Sequence, residues 1–158
     1  NFFDVSKDKV TLETHKQAAT KVILDGEFKV DKTKMKQKKI SLQELAGASF
    51  NIITKEPPLF DPETGFHDGG CGYLGGGGLV VGMLKAPYVA HSEEPRLLEL
   101  FYLIGNYLFN NFKEKELEIY EWDTNCSELW EDSFFNALWT VHNKERKILV
   151  VITFSHFD

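Results

Sequence analysis

"SFFNALWTVHNKERKILVVITF", residues 133–154, decides how this chain folds. Between Ser133 and His142 the apolar residues alternate as Phe135, Ala137, Trp139 and Val141. "HNKER" then makes a turn, and Lys147 to Phe154 returns with Ile148, Val150, Ile152 and Phe154 in the same alternation. Side chains of a strand point to opposite faces in turn, so a period of two in β-branched and aromatic residues predicts strands. Two such runs about a short polar turn predict an antiparallel hairpin. Immediately upstream, "LEIYEWD" (residues 117–123) reads as a third strand.

Further back, Ser92-Glu93-Glu94-Pro95 carries the marks of a helix start: a Ser cap, acids against the positive dipole end, and Pro in the first turn. Leu97, Leu98, Leu100, Phe101, Leu103, Ile104, Tyr107 and Leu108 then cover more than one face. This predicts one long buried helix over about 93–112, packed on the sheet. A short helix is predicted near 41–47, with Ser41 as cap, Glu44 completing a capping box and Gly47 as the stop. In the first 30 residues "KVTLETH" reads as extended, and "KVILDGEFKV" as two strands about an Asp25-Gly26 turn. "ASFNIIT" and the run Leu79 to Ala86 read as further strands, with the proline-rich "KEPPLFDPETG" as a surface connection between them. No linker or repeat divides residues 1–158. The expected class is α+β, a single domain with a mainly antiparallel sheet.

Composition agrees with an ordinary globular domain: 42% hydrophobic and 13% aromatic residues in a chain of 158. The most apolar run, Leu97 to Phe112, is too short and too polar to span a bilayer. The two cysteines, Cys71 and Cys126, are too few for a disulfide framework. They read as reduced thiols, which makes the cytoplasm the expected compartment. Residues 1–40 carry a net +4 and residues 41–158 a net −10, together the chain's −6. Between Lys113 and Asp132 stand eight carboxylates and two lysines. Such a surface repels nucleic acid and steers a basic protein towards itself. The lysines of "DKTKMKQKK" read as a solvated loop or as the protection of an edge strand.

The string Gly70-Cys71-Gly72-Tyr73-Leu74-Gly75 matches a phosphate-binding GxGxxG, but its context does not. A dinucleotide loop ends a buried strand and opens a helix. Here "DPETGFHD" precedes and "GGLVVGML" follows, so the glycines read as backbone architecture. Cys71 with His67 or His91 as base has the residue types of a thiolate nucleophile, and stands as an alternative catalytic set. His67, Asp68, Cys71, His91 and Cys126 show no zinc-ligand spacing, so neither a metal nor a cofactor is expected. The clustered acids single out no glycosidase-like pair and read as a solvated face.

"YEWDTNCSELWED", Tyr120 to Asp132, is the segment with the look of an interface. Tyr120, Trp122 and Trp130 are interleaved with Glu121, Asp123, Glu128, Glu131 and Asp132, with Glu118 just before them. Aromatic anchors ringed by carboxylates suit protein recognition. The same aromatics fit equally the core of a strand and its connection.

The stretch "EIYEWDTNCSELWED" followed by "FFNALWTVHNKERKILVVITFSHFD" resembles the immunity proteins of bacterial polymorphic or contact-dependent toxin systems. The resemblance rests on the run Glu121 to Ser127, on Trp139-Thr140 in an aromatic strand, and on a last strand closing on Phe-Asp. Where that pattern has Trp-Trp-Gly, this chain has Asp132-Ser133-Phe134. The resemblance implies a protein that binds and blocks a cognate toxin, commonly a nuclease, through an acidic aromatic face. Because no catalytic constellation stands out, the surface is acidic and no run spans a bilayer, neither catalysis nor a nucleic-acid or membrane partner is expected. Two other expectations stand beside the inhibitor reading: a small enzyme built on Cys71, and a structural module associating through its Lys-rich edge.

Overall fold

In the computed structural model, residues 1–7, 9–47, 60–61, 65–66, 79, 102–131 and 135–156 are described. The C-terminal hairpin is present as read: Phe135–Asn143 (β6) pairs antiparallel with Ile148–His156 (β7), from Phe135 opposite His156 to Asn143 opposite Ile148. Asn143 closes the turn, its Oδ1 accepting from the Arg146 backbone N–H at 3.0 Å. Leu117–Trp122 (β5) adds to β6, and Phe2–Asp4 (β1) adds to β7. Gln37–Lys39 (β2) completes the far edge against β5. The sheet order is β1-β7-β6-β5-β2 with every pairing antiparallel. A separate ribbon joins Phe60–Asp61 (β3) to Gly65–Phe66 (β4). The architecture is α+β.

Both faces of the sheet are covered, so both alternating sets of the hairpin are buried. Ala137, Trp139, Val141 and Val150 pack with Leu117 and Ile119 beneath Leu42–Ala46 (α2), Leu108 and Phe109. On the opposite face Leu138, Leu149, Val151 and Trp122 pack beneath Leu12–Asp25 (α1). The short helix α2 keeps the expected capping box of Ser41 and Glu44.

The first thirty residues are a correction. Where strands and an Asp25-Gly26 turn were expected, the chain forms the fourteen-residue helix α1. Thr11 is its cap, and Thr14 stands where a capping box usually has Glu or Gln, each threonine side chain accepting from the other's backbone N–H at 3.1 and 3.3 Å. His15, Ala18, Ala19 and Ile23 form the buried stripe, a three-to-four spacing hidden by its small and polar members. Gly26 is the end of this helix, its N–H bonded to the Val22 carbonyl at 3.3 Å. The brief alternation of Val10, Leu12 and Thr14 is overridden by the cap.

The long buried helix is also corrected over its described part. Residues 102–108 are helical and one-sided: Leu108 is buried, while Leu103 and Tyr107 are 63% and 59% exposed. The helix gives way at Asn110 and Asn111, both at positive φ, a conformation asparagine tolerates better than most residues. Leu79, expected in a strand, is helical and buried. The rest of the 79–86 run, "ASFNIIT", residues 93–101 and the glycine stretch 67–78 lie outside the described residues. Among the described residues no helix is long and apolar enough to cross a membrane. Cys126 is a free, buried thiol.

Candidate functional site

The acidic aromatic segment divides between the surface and the core because a strand's pleat divides it. On β5, Trp122 and Tyr120 face α1, whereas Glu121 lies exposed opposite Lys38 of β2 and Trp139 of β6. Trp122 is buried, and its indole N–H donates to Thr140 Oγ1 at 2.9 Å. Trp130 is buried as well, donating to the Phe154 carbonyl at 2.7 Å. The two tryptophans expected as interface anchors are therefore core residues. Their N–H groups are satisfied within the fold, and of the two only Trp130 also lines a surface depression.

What those tryptophans hold is a rigid carboxylate loop. Asp123 Oδ1 accepts from the Asn125 N–H at 2.9 Å and starts a 3-10 turn, Thr124–Cys126. Ser127 starts the next, Glu128–Trp130, accepting from the Leu129 N–H at 3.2 Å and donating to the Lys29 carbonyl at 2.6 Å. Val30 bridges to Ser127, the Asp31 N–H bonds to the Cys126 carbonyl, and Ser155 Oγ donates to the Leu129 carbonyl. Beside this loop opens a depression of about 460 Å³, lined among others by Asp31, Lys34, Asn125, Glu128, Glu131 and Asn136. Glu121, Glu128 and Glu131 are exposed and Asp123 half-buried. Among the described residues none of these four carboxylates is in an ion pair. One oxygen of Glu128 accepts from the Lys29 backbone N–H at 3.3 Å. Asp132 lies outside the described residues, as do Cys71, His67 and His91 of the alternative catalytic set. Burial holds the Cys126 thiol above its usual range, so this cysteine is a packed side chain and not a nucleophile.

The other two members of the segment belong to a different site. Glu118 and Tyr120 turn towards α1 and meet His15 and His142 there. Register produces the meeting: Glu118 is directly opposite His142, Tyr120 is opposite Thr140, and α1 lays His15 across them. His15 is fully buried, with Nδ1 2.8 Å from Thr140 Oγ1 and its ring edge-on to Tyr120 at 4.9 Å. The His142 ring is 6.2 Å away. Tyr120 donates its hydroxyl to Glu118 Oε1 at 2.8 Å, and burial together with this carboxylate holds the phenol above its usual range.

Two buried nitrogens here, His15 Nε2 and His142 Nδ1, have no hydrogen-bond partner among the described residues. Such a group costs about 1–3 kcal/mol. Burial lowers the pKa of His15 to about 4, against a pull upward from Glu118, with His142 adding to the lowering. His142 is likewise lowered by burial, opposed by Glu118 and reinforced by Lys144. Burial thus favours the neutral form of both rings, and Lys39 Nζ stands 3.9 Å from Glu118 Oε1 beside them. One ligand atom from each of His15, Glu118 and His142 lies within 4.8 Å of the others.

No family model, curated protein or solved structure matches this chain. The chemistry of the site is therefore read from its own atoms. Sequence reasoning missed His15 and His142 because it looked for ligand spacing along the chain, and these residues sit on α1 and β6. The only local signal was a histidine in each of two buried elements. His15 is hidden because α1 reads as strands, and His142, at the end of a strand that reads correctly, has no ligand-spaced neighbour along the chain.

Proposed function

We propose that this protein binds a basic protein partner through the carboxylates of its 121–131 loop, acting as the neutralising subunit of a bacterial toxin–immunity pair. The observation that carries the reading is the set Glu121 at the end of β5 and Asp123, Glu128 and Glu131 on or beside the two capped 3-10 turns that follow, none of them in an ion pair among the described residues. Carboxylates held in place outside ion pairs lose little entropy on meeting lysines and arginines, and they speed encounter by long-range steering. A nuclease active site must hold phosphate and is accordingly basic, so a surface of this kind can fill and neutralise it. Trp122 contributes rigidity, and Trp130 adds to it while lining the depression beside Glu128 and Glu131. The resemblance of residues 118–158 to immunity proteins points the same way.

The test is rescue. Tagged protein recovers from its source a basic partner that is released by high salt, is toxic when expressed alone, and is harmless beside this chain. Reversing Glu121, Glu128 and Glu131 to Lys removes protection while leaving the fold in place. Full protection by the triple variant would move the interface off this loop.

A further inference from the structure

The histidine cluster is independent of the carboxylate loop, and its geometry has a different use. His15 is fully buried, yet among the described residues only Nδ1 has a hydrogen-bond partner; Nε2, like His142 Nδ1, has none, and one ring nitrogen of each histidine lies within 4.8 Å of a Glu118 oxygen. A core histidine retained for packing alone finds partners for both nitrogens or gives way to an apolar residue. This one is instead held in place. Trp122 donates to Thr140 Oγ1, and Thr140 in turn contacts His15 Nδ1, which fixes the ring. In the tautomer whose Nδ1–H donates to the hydroxyl, Nε2 carries a free lone pair, the arrangement that an outer-shell partner gives a metal-bound histidine. Glu118 is positioned likewise: Tyr120 donates to Oε1 at 2.8 Å, Lys39 Nζ stands 3.9 Å from the same oxygen, and Oε2 has no partner among the described residues.

We propose that His15 Nε2, His142 Nδ1 and the Glu118 carboxylate bind one divalent transition-metal ion of the zinc type. Imidazole donors select such ions over magnesium or calcium, which take oxygen. Bonds of about 2.1 Å set tetrahedral ligand atoms about 3.4 Å apart, so the cluster contracts on binding. The contraction falls on Glu118 and His142, which are half-buried, and leaves the core residue His15 where it is. Three protein ligands leave a fourth position to water or to an incoming donor. Thr140 is a positioning residue, acting through His15.

The experiment is a titration of the full chain, stripped with chelator, first with Co²⁺ and then with Zn²⁺. One equivalent binds with Kd on the order of 1 µM or tighter. Cobalt develops the visible d–d bands of a low-coordinate nitrogen and oxygen site, zinc bleaches them by displacement, and saturating zinc raises the melting temperature. Because His15 is core, the decisive variants are Glu118→Gln and His142→Asn, whose side chains are half-buried. Each weakens binding at least ~30-fold with the fold retained by circular dichroism, and Thr140→Val weakens it roughly 10–100-fold. The chain has five histidines, so binding that persists unchanged in both ligand variants places the ion elsewhere and overturns the proposal. Absence of saturable binding to the stripped protein overturns it equally.

Discussion

The two faces of the central sheet are built from the same strands and do different work. Towards α2 the strands offer Ile119, Ala137, Trp139, Val141 and Val150, an apolar layer. Towards α1 the same β5 and β6 offer Glu118, Tyr120, Thr140 and His142 beside Trp122 and Leu138, and α1 adds a buried histidine. An all-apolar layer would have served the second face as well by area alone. A polar network in a covered layer, satisfied at Trp122 and Thr140 and open at two histidine nitrogens, marks that face as the one carrying chemistry.

Truncating a large side chain tests whether both layers are true core. Trp130→Ala on the α1 side and Trp139→Ala on the α2 side each lower unfolding free energy in urea by about 3–5 kcal/mol. A Trp130→Ala protein of unchanged stability would return that residue to the surface and revive it as a contact anchor.

The faces separate in their response to acid. In chelator, His15 has a folded pKa of about 4 against about 6.5 unfolded, so the unfolded chain takes up the proton first. The stability tied to its neutral ring is complete above pH 6.5 and is lost as pH falls through 4, up to about 3 kcal/mol. Glu118, His142 and Tyr120 face the ring and set the shape of the curve. His15→Gln flattens it over this window; parallel curves for wild type and variant would assign the acid response to other groups.

A subtler contrast comes from one hydroxyl. Thr140→Val leaves Trp122 Nε1 and His15 Nδ1 without their partner and costs about 1–3 kcal/mol. Val141→Thr, the neighbour pointing to the apolar layer, inserts an unpartnered hydroxyl and costs a similar amount. Their thermal melts make the comparison, and a neutral Thr140→Val would show the relay to be incidental. Smallest of all, Glu131→Lys shifts stability by no more than about 0.5 kcal/mol because its carboxylate is exposed, whereas Glu121→Lys, which sets a second lysine opposite Lys38, costs up to about 1 kcal/mol. Their main effect falls on partner association, read as a slower on-rate with a flatter salt dependence.

Much of the fold is legible in the sequence. The period-two runs at 135–141 and 148–154 announced the hairpin, "LEIYEWD" its neighbour, and Ser41 with Glu44 the helix α2. Each is a local signal, carried by residues within a few positions of one another. The helix α1 was misread because Thr14 is an unusual capping partner and Ala18-Ala19 makes a faint apolar stripe. Its helical identity is confirmed by burial against Leu138, Leu149 and Val151, which no local window contains.

The candidate sites show the same division. Sequence alone determined that the chain is an α+β domain with an antiparallel C-terminal sheet and an acid-rich segment after residue 113. It did not determine which side chains of that segment face water. Only the tertiary structure decided that Trp122 and Trp130 are inside while Glu121 and Glu131 are outside, because the covering of both sheet faces is a property of the whole packing. The structure alone also brought Glu118 to His142 by strand register and His15 to both by helix docking. A composition or a spacing records neighbours along the chain; a cluster drawn from α1, β5 and β6 exists only once the chain has closed on itself.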